Sequence, residues 1–508
     1  MMKLFSLLVC TLLLGLTGCL IDENLEEAKI SEYQGEFAIP LFQSSTPILE
    51  VLENVGKDAY AGVNEDSLVA IIYRGDVQRR TSADLFGAFT DFPFPVPIVT
   101  NPFEFALPSD EFKLNSALFD EGEIYVNFYS SILDSLYVIF TVENLIRDGE
   151  PFRIYSVIPN EDGTASPLEE KRTPAGYTLI PDQDTIRFSY TAKNLRTDSF
   201  VNIDLITFQL RNAGISYAEG FLTNQFYDLP RDTVFIDLFE KWVSGNIQWI
   251  NPSITVFIDN SFGFPLQIQT STFNVQTLVG PKQKVDAPLL DSFDIAFPNF
   301  SEIGESKSTI LRIDPSNSSN IESIINEGPL WVEYDLDAET NANAGEPDLG
   351  FATDSSSLRV GVQIELPLHG NFRDFTTIDT IDLNFSNYED ADEVEFKWVS
   401  ENEVPLDFRL QARFIDDQGL IIDSLLDSPA QVMKGAPVGP DGVSIGTSSQ
   451  TVYIPISTER FQNIKRATRV LLESQFTSTG QESGEIVKVL PDQEIRIRMG
   501  GIFRFGSQ

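Results

Sequence analysis

The chain has 508 residues, with 76 acidic against 35 basic side chains and a formal net charge of -41. A surface of that sign repels phosphate backbones and anionic headgroups, which sets nucleic-acid binding aside and favours divalent cations and cationic partners. The 2 cysteines and 1 histidine leave Cys/His zinc sites and Ser-His or Cys-His nucleophiles almost without raw material, while 42% hydrophobic residues suffice for several domains with full cores.

In chain order, Lys3 precedes an apolar run (Leu4, Phe5, Leu7, Leu8, Val9, Leu12, Leu13, Leu14, Leu16) that ends at Leu16-Thr17-Gly18-Cys19. The run is too short to cross a bilayer and closes on small residues, so residues 1–18 read as a signal peptide. L-T-G-C resembles the lipobox of bacterial lipoproteins. The resemblance implies a diacylglyceryl thioether on Cys19, cleavage before it and acylation of the new amine. Cys10 leaves with the signal, so Cys19 is a single thiol with no internal disulfide partner, and lipidation accounts for it. Several acyl chains anchor far more firmly than one, so a soluble body is expected on a membrane tether.

Residues 19–36 read as an acidic tether. Asp22, Glu23, Glu26 and Glu27 follow the cysteine closely, and Leu20 is not the Asp that marks inner-membrane retention in enterobacterial lipoproteins. An outer-membrane destination, at the cell surface or the periplasmic face, is therefore expected. The acidic stretch also resembles the surface-export signal of Bacteroidota lipoproteins.

Residues 37–105 read as an N-terminal α/β segment. Thr46 is placed to cap a short helix with Pro47 first, Ile48, Leu52 and Val55 on one face and Gly56 as its stop. The stiff linker Phe92-Pro93-Phe94-Pro95-Val96-Pro97 follows. From there period-two alternation dominates: Leu136 to Val142, Ile186 to Ala192, Ile254 to Ile258, Leu358 to Leu366, Phe408 to Phe414, Val452 to Ile456 and Ile495 to Met499. These predict half-buried antiparallel strands separated by turns such as Asn160-Glu161-Asp162-Gly163.

The fold class expected is mainly β: tandem antiparallel β-sandwich-like domains with few short helices. The domains expected are a β domain over 106–240, a β-sandwich over 241–355 and a C-terminal β domain over 356–508. Asn320 to Glu327 is a short helix candidate, and Ser457 to Ser474 reads as one amphipathic helix with Phe461, Ile464, Thr468, Leu471 and Leu472 at helical spacing.

A strand-Asn-turn-Pro-strand arrangement recurs at Asn144, Asn260 and Asn402, which reads as hairpin chemistry at least and duplicated domains at most. The middle copy, Val256 to Ile268, resembles the signature of the LEA-2 type β-sandwich over about a tenth of the chain. The resemblance implies a sandwich and transfers no activity.

Carboxylates are the chemistry that remains. Asp335, Asp337, Glu339, Asn341 and Asn343 place a side-chain oxygen at every second position, in a segment that reads as a loose polar loop through Leu349. Hard cations want such donors, so a bound Ca²⁺ is one expectation and a solvated acidic loop the other. No other cofactor is expected. His369, in Pro367-Leu368-His369-Gly370, reads as a surface histidine at a strand end.

A glycosidase needs only a carboxylate pair, which so acidic a chain always contains, but the body lacks the βα alternation of a barrel enzyme. Trp242, Trp249, Trp331 and Trp398 fall in strand-like surroundings and read as core. Asp-Ser/Thr followed by a small or aliphatic residue occurs at Ser67, Ser135, Thr185, Thr233, Thr380 and Ser424. The tripeptide resembles the O-glycosylation acceptor motif of Bacteroidota exported proteins, and strand entry produces it as well.

The function expected is thus a non-catalytic binding or envelope-assembly module on the outer membrane, partnered by an outer-membrane protein, a glycan or a lipid. Two alternatives stand beside it. One is a carrier whose 39 phenylalanines line a lipid-sized cavity; the other is a surface glycan-binding protein.

Overall fold

The computed structural model describes residues 36–52, 59–75, 78–82, 94–107, 112–159, 168–228, 231–239, 242–342, 349–382, 393–480 and 485–504. Cys19, the tether up to residue 35 and residues 160–163 lie outside them. The described chain is mainly β, built of antiparallel sheets with short helices, as the alternation predicts. No helix among the described residues is long and apolar enough to cross a membrane.

The first unit is one sheet folded over on itself. Leu136–Arg147 pairs with Glu150–Ile158 on one side and Thr185–Asn194 on the other, while Phe112–Tyr129 pairs with Leu168–Arg172 and Leu205–Leu222. The short strand Thr178–Leu179 bonds to both long strands and joins the two halves. Phenylalanines from four strands meet between them: Phe140 stacks on Phe188 with centroids 6.0 Å apart, Phe188 lies 4.9 Å from Phe208, and Phe128 meets Phe140 edge-on at 6.2 Å. Rings at such separations pack against one another and fill the space between the layers.

The second unit is a sandwich. Its first sheet runs, in spatial order, Ala59–Val63, Val69–Arg74, Ser357–Pro367, Ser253–Asn260 and Lys307–Ile313. Its second sheet centres on Pro329–Thr340, with Leu266–Thr277 on one side and the short strands Gln225–Tyr227 and Asp232–Phe235 on the other. Gln283–Lys284 and Ser292–Ile295 cover the outer edge of Leu266–Thr277. The two sheets touch where Tyr73 donates its hydroxyl to Asp237 at 3.0 Å.

The third unit repeats this plan. Its first sheet runs Glu36–Pro47, Glu494–Arg504, Glu393–Asn402 and Ser448–Ile456. Its second runs Trp242–Trp249, His369–Asp382, Arg469–Ser478 and Leu406–Ile415, with Ile421–Ser424 and Ala430–Met433 at the edge. In both units a first-sheet strand ends in a buried Asn, the chain arches to the second sheet and two short edge strands follow. A first-sheet edge strand, one short helix (Ile321–Asn326 or Thr458–Ile464), a central second-sheet strand and a central first-sheet strand then complete each unit.

The arches explain why asparagine stands at both corners. Asn260 accepts the Phe262 N–H at 3.0 Å and donates to the Ala296 carbonyl at 3.1 Å. Asn402 accepts the Val404 N–H at 2.9 Å and donates to the carbonyls of Leu406 and Lys434 at 3.1 and 3.0 Å. A carboxamide supplies donor and acceptor together, which a corner dehydrated on both sides requires. Asn144 differs: Leu136–Arg147 and Glu150–Ile158 form a hairpin within one sheet, turned by Asp148 and Gly149 at φ 53 and 81°.

Several expectations are corrected. Thr46 does not cap a helix; it lies within the strand Glu36–Pro47, Pro47 takes the N-cap position, and the helix Ile48–Val51 has no side-chain cap. The helix begun at Ser457 stops at Ile464, and Arg469–Ser478 is a central strand burying Val470, Leu472, Ser474 and Phe476. Those alternate residues carry a period-two signal that the coincident three- and four-residue spacings of Phe461, Ile464, Thr468, Leu471 and Leu472 obscure. Strand pairing also cuts across the domain boundaries expected after 240 and 355. Gln225–Tyr227, Asp232–Phe235 and Ser357–Pro367 complete the second unit, while Ala59–Val63 and Val69–Arg74 extend its first sheet and Glu36–Pro47 that of the third.

Candidate functional site

Residues 335–340, expected in a loose loop, belong to the strand Pro329–Thr340. Its alternation is complete: Val332, Tyr334, Leu336 and Ala338 are buried on the core side, so Glu333, Asp335, Asp337 and Glu339 stand together on the other face. Neighbouring strands then decide which carboxylates meet. On one side Tyr227 pairs with Ala338, so the next residue, Asp228, comes level with Asp337. On the other side a bulge at Ser271 brings an extra residue between Gln269, opposite Asp337, and Thr272, opposite Asp335.

Ligand oxygens of Asp228, Asp335 and Asp337 all lie within 4.8 Å of one another. Asp337 is 3% exposed and accepts the Ser271 hydroxyl at 2.5 Å. Arg231 lies over one oxygen of Asp335, with Nε and Nη2 each 3.3 Å away, and 3.5 Å from Glu333. The other oxygen, Asp335 Oδ1, is buried and has no hydrogen-bond partner. Three carboxylate oxygens in so small a space are donors of the kind that a hard divalent cation takes, and they could hold one.

The expected ligands divide accordingly. Asp335 and Asp337 are brought together, whereas Glu339 is held by Asn224 at 2.8 Å and by Gln269. Asn341 sits beyond the strand end at φ 47°, and Asn343 lies outside the described residues. Asp228 is the carboxylate of this cluster that the sequence did not offer, since only strand pairing between distant segments sets it beside Asp337. Lys282, bonded to Glu333 at 2.9 Å, holds that carboxyl below its usual range.

A cleft of about 240 Å³ opens where the same bulge interrupts the sheet edge, between Thr270–Asn274 and Lys284–Asp291. Ser271 borders the cleft and also bonds to Asp337, so the two features share one distortion of the strand.

The acceptor-motif residues lie mostly at strand ends. Ser67 is exposed in a turn at φ 60°, and Thr380 is exposed near the end of His369–Asp382. Ser135, Thr185, Thr233 and Ser424 are half-buried, with the Thr185 hydroxyl given to Asp182 O and that of Ser424 to Leu426 O at 2.9 Å. Trp249 and Trp398 are buried as expected. Trp242 and Trp331 are not fully covered: Trp242 packs on Phe239 and Phe375, and Lys282 lies 4.9 Å above the Trp331 ring.

No protein-family model matches the chain, and no curated protein matches it. Among solved structures it is similar to a protein of Parabacteroides distasonis described as secreted, at 16% identity over 57% of this chain and 89% of that one, with a TM-score of 0.26. It is also similar to the VP2 subviral particle of infectious bursal disease virus, at 11% identity over 80% of this chain and 75% of that one, with a TM-score of 0.15. At these scores neither likeness carries an argument about fold or function.

Proposed function

We propose that this protein is an outer-membrane lipoprotein, anchored through Cys19, whose three β units form a non-catalytic binding or envelope-assembly module. The observation that carries the reading is the N-terminal segment: one lysine, a short apolar run and L-T-G-C, followed by an acidic tether that leads into the first strand. An outer-membrane protein, a glycan or a lipid is the partner class, and sheets with little helical cover offer broad faces for any of them. The packed phenylalanines of the first unit favour this module over a carrier with a lipid-sized cavity.

Metabolic labelling with an alkyne fatty acid tests the anchor. Wild type takes the label and fractionates with outer membranes, while Cys19→Ala remains unlabelled and uncleaved or mis-sorted. A labelled Cys19→Ala protein overturns the reading.

A second reading concerns the acidic face of the second unit. The buried, unpartnered Asp335 Oδ1 beside two further carboxylates favours a Ca²⁺ ion that stabilises this unit and takes no part in chemistry. Calcium titration of the melting temperature tests it.

A further inference from the structure

Strand registers align the second and third units residue by residue, because Leu266 pairs with Thr340 as Leu406 pairs with Ser478. On that alignment Thr270 stands where the third unit has Leu410, and Phe273 where it has Ala412. Val285 donates its N–H to Phe273 O at 3.0 Å, as Leu425 does to Ala412 O at 2.7 Å. Allowing for the extra Ser271, Thr272 takes the place of Gln411.

The third unit closes the space between its two edge strands. Gln411 is buried and clasps Leu426, donating Nε2 to its carbonyl at 2.8 Å and accepting its N–H at 3.3 Å. Leu410 is 1% exposed beneath it. In the second unit the corresponding main chain turns away: Asp286 N–H goes to Asn320 Oδ1 at 2.8 Å, and its carbonyl accepts Ser319 N–H at 3.1 Å. The smaller side chains at Thr270 and Thr272, together with a diverted loop, leave the cleft of about 240 Å³. Thr270 Oγ1, where the other copy has a leucine, is buried on its wall with no hydrogen-bond partner. A buried hydroxyl that no protein group satisfies costs stability, so its placement on the cleft wall asks for a polar occupant.

We propose that this cleft binds one small polyhydroxylated ring of monosaccharide size. The volume lies below the range of pockets for drug-sized ligands, which suits a single ring. Thr270 can both donate to and accept from a ligand hydroxyl. Asp286 and Asp291, exposed at the rim, accept O–H groups, and Lys284 donates. Val285, Ala287 and Leu290 supply an apolar wall for the C–H face of the ring. Two carboxylates beside one ammonium give no positive excess for a phosphate or carboxylate ligand. The inference deepens the binding-module reading and rests on it.

The test is saturation-transfer NMR on the full-length protein in detergent, with the methyl pyranosides of glucose, galactose, mannose and N-acetylglucosamine as probes. Wild type is expected to transfer saturation to at least one of them. Thr270→Leu/Thr272→Gln, which installs the third unit's own residues, should weaken that signal at least tenfold and melt higher without ligand. If the double variant fails to fold, the nearly isosteric Thr270→Val replaces it with the same expectation. No transfer to any probe, or equal transfer in wild type and the folded variant, overturns the site. Fatty-acid labelling of the same preparations reads the anchor separately, so loss of the sugar site and loss of the lipoprotein reading are told apart.

Discussion

The second and third units follow one course of chain, yet their outer faces carry different chemistry. Where the second has Asp228, Asp335 and Asp337, the third has Thr376, Glu473 and Gln475. Glu473 is already paired with Arg413 at 2.5 Å, and Gln475 donates to the Thr376 hydroxyl at 3.3 Å. Both units keep a buried Asn at the arch, alternating apolar residues between the sheets and a buried hydroxyl on the second-sheet strand. Thr340 and Ser478 accept main-chain N–H groups of Gln225 and Phe372 at 3.0 and 2.8 Å. The inner set fixes the topology, and the outer faces remain free to become a carboxylate cluster, an ion pair or a cleft.

The largest expected effect tests the shared inner set. Val362 and Met499 occupy matching central positions, opposite Val256 and Trp398, and both are buried. An unpaired ammonium at either should cost about 3–5 kcal/mol, the range for an uncompensated buried charge. Gln363→Lys, on the opposite face beside Arg74, should cost about 1 kcal/mol or less. Denaturant melts measure all three. If Val362→Lys is severe and Met499→Lys is mild, the two units are not equivalent in their cores.

The arches come next. Asn260→Ala and Asn402→Ala each leave buried main-chain groups without partners and should cost about 1–3 kcal/mol. Asn402→Ala should be the worse, because its amide serves two carbonyls against one for Asn260. Asn144→Ala, at a hairpin with exposed hydrogen bonds, should be the mildest of the three. The reverse order in thermal melts would show that the arches do not hold the sandwiches together.

Calcium should separate the units. If an ion binds Asp228, Asp335 and Asp337 in the folded state alone, linkage gives about 2.7 kcal/mol at a hundredfold excess over Kd. Asp337→Asn should abolish the rise in melting temperature, while Glu473→Gln in the third unit should leave it intact. Equal melting in excess chelator and in millimolar Ca²⁺ rejects the site.

Much of this was legible in the sequence, and the failures have physical causes. Leu358 to Leu366 alternates cleanly because each side chain meets one environment, and it forms the central strand Ser357–Pro367. Its polar face is nonetheless partly covered, with Glu365 buried next to Arg312, since position along a sheet is invisible to a two-residue period. The alternation from Asp335 to Asn343 reads in sequence as a set of loop ligands, although Val332, Tyr334, Leu336 and Ala338, alternating with its acidic residues, spell a strand. Spacing singles out Asp335 and Asp337, whereas the approach of Asp228 and Ser271 to them depends on pairing and on a bulge. Duplication showed only through Asn260 and Asn402, because topology is repeated here with little repetition of residues.

The smallest expected effect lies at the junction of the two units. His369 follows directly on Leu368, which donates its N–H to Val69 O at 2.7 Å and accepts that of Val489 at 3.0 Å, while the His369 carbonyl accepts the Ile250 N–H at 2.9 Å. Partial burial, and then the nearby Lys488 ammonium, push the imidazole pKa down, with Asp66 opposing weakly. A histidine lowered in the folded state takes its proton later than in the unfolded chain, whose value is about 6.5. Its stabilising contribution is therefore complete above that value and falls away as pH drops below it, because the unfolded state then binds more protons. Wild type should lose a little melting temperature between about pH 7 and pH 5 through this group, and His369→Gln should lose less. Since the residue joins the two sandwiches, the acid-sensitive part should appear as separation of their transitions in calorimetry. A variant with an unchanged pH profile would show that the junction does not sense this proton, and would leave any acid sensitivity to the carboxylates.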